Sequence, residues 1–183
     1  MKQAEHIRTD LLVLRCQEGD AAAFESLVVD WRERLWLHAR RLTGDEDAAY
    51  DILQEAWLSI ARGIGRLTDP AAFPAWAYRI VSNKSHDWIR KECRRRDAQK
   101  SYAEMWTLEN DGPSEHEDER CENLRQALAR LTEADLALLA LKYEECFDTA
   151  RTAEALGIPE GTVRSRLFYL RDRIRKMMKE NES

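Results

Sequence analysis

The sequence predicts an all-α protein of two small helical domains joined by an acidic linker. Apolar residues recur at the three- and four-residue spacing of helices along most of the 183 residues, and strand-like alternation is nearly absent. The 7 glycines and 4 prolines are too few for a turn-rich β-sandwich or barrel. No stretch approaches the ~18 apolar residues that span a bilayer, and no secretory signal opens the chain. We therefore expect no membrane insertion and a cytoplasmic location.

Three helices account for the first domain, which we predict to cover residues 1–97. The first helix has an apolar stripe within residues 24–35 and should stop at Gly44. The second has a buried stripe within residues 53–64 that includes Leu53 and Trp57. A third, longer helix is expected to start near Pro74 and to run to about Arg96, because proline suits the first turn of a helix.

The charge pattern marks the linker and the second domain. Residues 101–160 hold 15 acids and 5 bases, and Gly112-Pro113 lies within a polar part of this run. We therefore predict a flexible acidic linker over residues 98–121 and a second domain over residues 122–183. Basic segments flank this interval, so a nucleic-acid partner is compatible with the net charge of −5.

The second domain carries the spacing of a helix-turn-helix. Ala153 is small enough for a close helix crossing, Gly157 permits a left-handed turn, and Val163 can hold the second helix on the core. An ordinary helical hairpin is the plain alternative, but the arginines that follow the turn favour DNA binding. The residues expected on the exposed, base-reading side are Thr162, Arg164, Ser165 and Arg166.

Two further surfaces are predicted on the first domain. The second helix has a narrow acidic face, which is either a solvated surface or a docking site for a basic partner, formed by Asp51, Gln54, Glu55 and Leu58. The third helix has a polar face suited to phosphates and base edges, formed by Asn83, Asp87, Arg90 and Arg94 and flanked by Lys84. Trp76 is assigned to the core, whereas Trp88 fits either the core or stacking on a base.

The chain has no visible catalytic constellation. No Ser/His/Asp arrangement, glycine-rich phosphate loop or metal-ligand cluster is found, and the 4 cysteines form no CxxC pair. We expect free thiols, no catalytic residue, no bound metal and no cofactor, so an enzyme is the least favoured class.

Three segments together resemble the bacterial extracytoplasmic-function (ECF) sigma factors of RNA polymerase. They read DAAYDILQEAWLSIARG, then FPAWAYRIVSNKSHDWIRKECRRR, then LTEADLALLALKYEECFDTARTAEALGIPEGTVRSRL. The resemblance runs from about residue 20 to residue 178 and leaves the linker unmatched. It implies sigma region two in the first domain and sigma region four in the second.

The resemblance also implies partners and residue roles. Such proteins bind core RNA polymerase, recognise promoter DNA and promote its melting, and an anti-sigma factor is an expected partner. The implied core-polymerase-binding residues are Asp51, Gln54, Glu55 and Leu58. The implied minus-ten DNA-binding residues are Asn83, Lys84, Asp87, Trp88, Arg90 and Arg94, with the loop of residues 63–73 and Asn83 holding a flipped base. The implied minus-thirty-five DNA-binding residues are Thr162, Arg164, Ser165 and Arg166.

One departure from the family pattern and two rival functions accompany this interpretation. Phe168 and Tyr169 follow the RSRL motif, and we hypothesise that they contact an anti-sigma factor or the first domain in the idle protein. The first rival is a helix-turn-helix transcription regulator that binds operator DNA without polymerase. The second is an adaptor that docks on a protein partner through the acidic face of the second helix.

Overall fold

The computed structural model describes residues 2–99 and 126–180, and all regular structure in these ranges is helical. The longer helices, in chain order, are α1 (Lys2–Gln17), α2 (Ala21–Thr43), α3 (Glu46–Gly63), α4 (Phe73–Gln99), α5 (Glu133–Leu139), α6 (Thr149–Leu156) and α7 (Glu160–Glu180). Short 3-10 turns at Ile64–Arg66 and Pro70–Ala72 connect α3 to α4, and a π-helical turn at Ala140–Glu144 continues α5. The predicted all-α class is confirmed.

Helix α2 lies at the centre of the first domain. Leu27 and Leu35 on α2 are fully buried, and Trp31 between them packs edge-on against Phe73 at the start of α4. Helix α2 ends where the sequence predicts, since Gly44 adopts the left-handed conformation with φ 66° and its N–H donates to a carbonyl of the last turn. The predicted stripe of α2 is thus the core of the domain.

Helix α1 was not predicted from the sequence. Only Leu12 and Val13 among its large apolar residues are buried, while Ile7, Leu11 and Leu14 face outward. Because these apolar residues point to two sides, α1 has no single stripe of the kind that marks an amphipathic helix. The helix is held by its last residue, Gln17, whose side-chain amide donates to two carbonyls of the loop that follows α3.

The second domain has the helix-turn-helix geometry that its spacing predicts. Thr132 caps α5 by accepting a hydrogen bond from the Asp135 N–H at 3.2 Å, as expected for a capping residue. Gly157 ends α6 in the left-handed conformation with φ 73°. Ala153 is 6 % exposed and Val163 is fully buried, so α6 and α7 pack closely across the turn.

The two domains pack against each other, which the sequence could not show. Helix α6 lies against α4, and α5 lies against α2. Buried residues of both domains belong to one continuous hydrophobic cluster. The predicted linker falls almost wholly in residues 100–125, outside the described ranges, so the domain boundaries near residues 97 and 122 stay predictions.

Candidate nucleic-acid and polymerase interface

The polar face of α4 is exposed as predicted and is internally ordered. Asn83, Asp87, Arg90 and Arg94 are all exposed. A hydrogen bond from the Arg90 guanidinium to the Asp87 carboxylate holds the pKa of Asp87 below its usual range. Arg94 in turn donates from Nε to the Arg90 carbonyl at 3.1 Å. The face therefore presents a fixed carboxylate acceptor among arginine donors, which suits both base edges and phosphates.

An ion pair joins the α4 face to the acidic face of α3. The Lys84 Nζ lies 3.1 Å from Oε2 of Glu55, and Lys84 is the more covered partner, with 24 % of its side chain exposed against 68 % for Glu55. The sequence places these residues on different helices with different predicted partners. The structure brings them together, so the predicted polymerase surface and the predicted minus-ten surface adjoin at this pair.

The acidic face of α3 is exposed, and the buried face differs in part from the prediction. Ile52, Ala56 and Ile60 form the fully buried stripe, whereas Leu53 and Trp57, which were predicted to be buried, are only partly so. The helix is therefore rotated slightly from the predicted orientation. The residues on its outer side are Asp51, Gln54, Glu55 and Leu58, and Leu58 is an apolar side chain with 58 % of its surface exposed. An exposed leucine beside carboxylates is suited to a partner with both apolar and basic groups.

A cleft of about 260 Å³ opens beside the loop that joins α3 to α4. Its walls are Gly63, Arg66, Leu67, Thr68 and Trp76. Trp76 thus lines the cleft as well as packing on the core, a role that its helical spacing alone could not indicate. A glycine is needed at the rim because a Cβ atom at residue 63 would lie 2.8 Å from the Trp76 ring.

The structure does not bring every predicted minus-ten residue to this cleft. Asn83 lies about two helical turns beyond Trp76 on the same side of α4 and is not in the cleft wall. Trp88 is partly buried and packs against the hydrophobic core, so only part of its ring is accessible. Arg66 and Thr68 lie in the loop of residues 63–73 that the resemblance implies for this role, but no periodic pattern singles out these two residues within a short polar loop.

The recognition helix α7 exposes its predicted face. Arg164, Ser165 and Arg166 are exposed and Thr162 is partly buried. The first turns are ordered by an ion pair of 2.7 Å between Arg164 and Glu160, and by a hydrogen bond of 3.1 Å from the Ser165 hydroxyl to the Thr162 carbonyl. The side chains expected to read bases therefore project from the N-terminal half of a helix whose opposite side is buried.

An aromatic surface continues this helix toward its C-terminal half. Phe168 and Tyr169 are 69 % and 70 % exposed. The Arg171 Nε donates to the Tyr143 hydroxyl at 2.9 Å, which extends the surface onto the end of the π-helical turn. The hypothesis that Phe168 and Tyr169 contact the first domain does not match this structure, because α6 and the segment before it make that contact.

The remaining predictions concern thiols, metals and membranes. Cys16 is a free thiol, and burial raises the pKa of its thiol, whereas Cys121 lies outside the described ranges. Within residues 2–99 and 126–180, no group of three or more His, Cys, Asp or Glu side chains could hold a metal ion. In the same ranges, no helix is both long enough and apolar enough to cross a bilayer.

Two family models match the chain. Sigma-70 region 2 matches residues 27–95, and Sigma-70 region 4 matches residues 121–174. ECF RNA polymerase sigma factor SigL of Mycobacterium tuberculosis is 33 % identical over 166 residues, covering 88 % of this chain and 92 % of that protein. RNA polymerase sigma-H factor of Pseudomonas aeruginosa is 29 % identical over 177 residues, covering 91 % of this chain and 92 % of that protein.

A solved structure shares the fold. The sigma factor RpoE of Bartonella quintana, crystallised with the anti-sigma factor NepR, superposes with a TM-score of 0.64 at 20 % identity, covering 85 % of this chain and 96 % of that chain. The match to sigma factors covers the first domain as well as the helix-turn-helix. It therefore gives no support to the rival interpretation, an operator-binding regulator that acts without polymerase. By sequence identity along nearly its whole length, and by both sigma regions in order, the chain belongs to the ECF sigma factors of RNA polymerase.

Proposed function

We propose that this ECF sigma factor divides promoter recognition and polymerase binding among three exposed helix faces. The outer face of α3 binds core RNA polymerase, the polar face of α4 contacts the minus-ten element, and the N-terminal half of α7 reads the minus-thirty-five element. The polymerase carries out the chemistry and the chain supplies recognition in the cytoplasm. The observation that carries the proposal is the exposure of most of the predicted side chains on each of the three faces, with Lys84, Trp88 and Thr162 partly covered, while the opposite side of each helix is buried.

The assignment of α7 to duplex DNA rests on its geometry. An α-helix fits the major groove, and its N-terminal residues reach base edges in a helix-turn-helix. Arg164 and Arg166 can bind guanine or phosphate, and Ser165 can donate or accept.

The assignment of α4 and the cleft to melted DNA rests on charge and shape. The Asp87–Arg90 pair and Arg94 offer an acceptor and several donors along one face. The cleft beside Trp76 offers an aromatic wall and polar groups from Arg66 and Thr68. Unpairing a base costs a few kcal/mol, and a pocket that combines stacking with hydrogen bonds can offset this cost.

Two variants test this division of roles, and each is expected to impair a different activity. Asn83→Ala should reduce promoter opening, measured by permanganate reactivity of unpaired thymines, more than it reduces core polymerase affinity. Leu58→Asp should weaken core affinity, measured by fluorescence anisotropy, and reduce promoter opening only in proportion. Equal losses of both activities in the Asn83 variant would contradict the role assigned to α4.

We further propose that the aromatic surface at Phe168 and Tyr169 binds an anti-sigma factor. Two adjacent aromatic side chains, both about 70 % exposed, are typical anchors of a protein interface. The Bartonella quintana neighbour was solved with an anti-sigma factor, which supports a partner of this class. Replacing Phe168 with Ser and Tyr169 with Arg should weaken binding to the cognate anti-sigma factor in a pull-down. Unchanged binding would remove the proposal.

A further inference from the structure

The cleft beside Trp76 has two walls of different character. Trp76 belongs to α4, and the centroid of its ring lies 6.2 Å from that of Phe73, which is fully buried. The other wall is a short piece of loop centred on Leu67. In residues 65–72, all of which the structure describes, no residue is buried. Packing therefore fixes the aromatic wall, whereas the shape of the loop wall depends mainly on hydrogen bonds.

The side chain of Gln17, at the end of α1, bonds this loop from outside. Its Nε2 donates to the Ile64 carbonyl at 3.0 Å and to the Leu67 carbonyl at 2.7 Å, in a partly buried position. An amide nitrogen carries two hydrogens, so it can serve both carbonyls at once. Within the loop, the Leu67 N–H also donates to the Ile64 carbonyl at 3.2 Å. Gln17 thus ties the start of the 3-10 turn to the residue that follows it.

Helix α1 keeps Gln17 in place through contacts that do not involve the loop. Val13 is fully buried in the core. On the side that faces α2, the Trp31 Nε1 donates to the Thr9 hydroxyl at 3.2 Å, and both residues are buried. Because α1 is anchored independently in this way, Gln17 is a fixed support from which the loop is held.

The carbonyl that Gln17 holds lies at the middle of the loop wall. Leu67 stands between Arg66 and Thr68, the two exposed polar residues that line the cleft, so a shift of its backbone displaces both. Flipping a base out of a duplex costs free energy, and a pocket that is already formed offsets this cost better than one that must first be ordered. The position of the Leu67 backbone therefore matters for capturing a base.

We propose that Gln17 is a positioning residue for promoter opening, which holds the loop wall of the cleft in the shape that receives an unpaired base. Gln17 does not line the cleft, so it acts through the loop. Because both of its partners are carbonyl oxygens, the role requires an N–H donor at the end of the side chain. This inference rests on the proposed function, because it needs the cleft to take a base.

The first experiment compares substitutions in the full chain bound to core polymerase, on a genomic fragment that this holoenzyme transcribes in vitro. Gln17→Met keeps the length of the side chain but has no donor, whereas Gln17→Lys keeps a donor. Gln17→Met should reduce promoter opening, measured by permanganate reactivity, by ~10-fold, since two hydrogen bonds together contribute about that factor. Gln17→Lys should recover most of the loss.

The same proteins are measured for two activities that do not use the cleft. Core polymerase affinity and binding to a minus-thirty-five duplex should stay within about twofold of the parent in both Gln17 variants. Glu18→Met, at the exposed neighbouring position, is the matched control and should change neither these activities nor promoter opening.

A second experiment separates positioning from a general structural effect. The same fragment is prepared with its minus-ten region unpaired, and single bases are removed in turn from the non-template strand. For the parent, removal of the base that enters the cleft should weaken holoenzyme binding by ~10-fold, as expected for the loss of a stacked base. For Gln17→Met, removal of that base should matter much less, and removal of the other bases should matter as it does for the parent. A general structural effect would weaken binding to every template alike.

The outcomes separate the two proposals. Unchanged opening by Gln17→Met, a loss in Gln17→Lys as large as in Gln17→Met, or the same base dependence in Gln17→Met and the parent would each overturn the positioning role and leave the proposed function intact. A parent holoenzyme insensitive to removal of any minus-ten base would overturn the proposed role of the cleft and this inference with it. If Gln17→Met does not fold by circular dichroism, Gln17→Asn takes its place in both experiments, because its shorter side chain keeps the amide but does not reach both carbonyls.

Discussion

The side chain of His38 is almost completely buried. It is 2 % exposed, its Nε2 lies 2.8 Å from the Ser82 hydroxyl, and its ring packs edge-on against Tyr78. Burial, with a smaller effect of the Arg41 charge, lowers the pKa of His38 from 6.5 to about 3. The imidazole is therefore neutral at neutral pH, and it serves the core between α2 and α4.

This lowered pKa predicts a loss of stability in mild acid. The unfolded chain binds a proton near pH 6.5 and the folded chain does so only near pH 3, so the stabilisation is complete above pH 6.5 and is lost as the pH falls toward 3. Between about pH 7.5 and about pH 5.5, His38 should remove about 1.4 kcal/mol from the free energy of unfolding.

Urea denaturation at the two pH values measures this loss, and His38→Gln is the matched variant because it cannot titrate. The variant should be less stable at both values and should lose about 1.4 kcal/mol less between them. The pKa of His86 is also lowered, mainly by burial, but its contribution is common to both proteins. The same pH dependence in both proteins would contradict the assignment to His38.

Gly63 and Gly65 form a matched pair of residues beside the cleft. A Cβ atom at Gly63 would lie 2.8 Å from the Trp76 ring, whereas one at Gly65 would meet no atom within 4 Å. We expect Gly63→Ala to cost about 1–3 kcal/mol of stability and to displace Trp76, because added volume in a packed site forces its neighbours to move. Gly65→Ala should leave stability within about 0.5 kcal/mol of the parent.

Thermal unfolding and promoter opening, measured side by side, check this prediction. The Gly63→Ala variant should open promoters less well than its fraction of folded protein would predict, because the cleft wall has moved. Equal behaviour of the two variants would show that the close approach of Trp76 to residue 63 is not rigid.

At the scale of elements, α2, α3, α5 and α6 each begin at a residue whose side chain caps the first turn. Helix α6, with only eight residues, depends on Asp148, whose Oδ1 accepts from the Arg151 N–H at 2.7 Å. A helix this short gains little from its own hydrogen bonds and needs both its cap and its packing. By stabilising α6, the cap therefore helps to keep the whole helix-turn-helix folded.

Removing this cap should destabilise the second domain. Asp148→Ala is expected to cost about 1 kcal/mol, whereas Asp148→Asn should cost a few tenths at most, because asparagine also caps well. Urea titration followed by circular dichroism measures both. A loss in the Asn variant as large as in the Ala variant would mean that the charge, and not the hydrogen bond, is what stabilises α6.

At the scale of elements the sequence also missed α1, for a physical reason. Its apolar residues divide between the core and the solvent, so it lacks the single stripe that marks α2 and α3. What fixes α1 is a tertiary contact: the Gln17 amide bonds two loop carbonyls about fifty residues away. Such a contact leaves no periodic signal along the chain.

At the scale of the whole molecule, one hydrophobic cluster runs through both domains. Tyr78 of the first domain and Phe147 of the second meet at its centre. Burial raises the pKa of the Tyr78 hydroxyl well above its ordinary value of 10.0, and the Glu145 carboxylate raises it further, so the hydroxyl stays protonated as a donor. The domains are therefore expected to unfold together rather than one at a time.

A double-mutant cycle on Tyr78→Leu and Phe147→Leu tests this shared core. Edge-to-face aromatic pairs contribute roughly 0.5–1.5 kcal/mol beyond their buried area, so the coupling energy should fall in that range. Chemical denaturation of the four proteins at equal ionic strength gives the value. Additive effects would mean that the domains do not share this contact in solution.

The sequence by itself determined the helical class, the helix-turn-helix and the exposed faces of α3, α4 and α7. These features follow from the spacing of apolar residues, from a glycine that can adopt the left-handed conformation and from local charge, all of which are properties of residues close together in the chain. The sequence assigned Leu53 and Trp57 to the centre of the buried stripe, but α3 is rotated slightly about its axis from that orientation. The side of a helix that is buried depends on what packs against it. Only the tertiary structure decided the Lys84–Glu55 pair, the cleft beside Trp76, and the packing of the second domain through Tyr78 and Phe147. These contacts join residues far apart in the chain, and the balance of burial and charge that selects them exists only once the helices are packed.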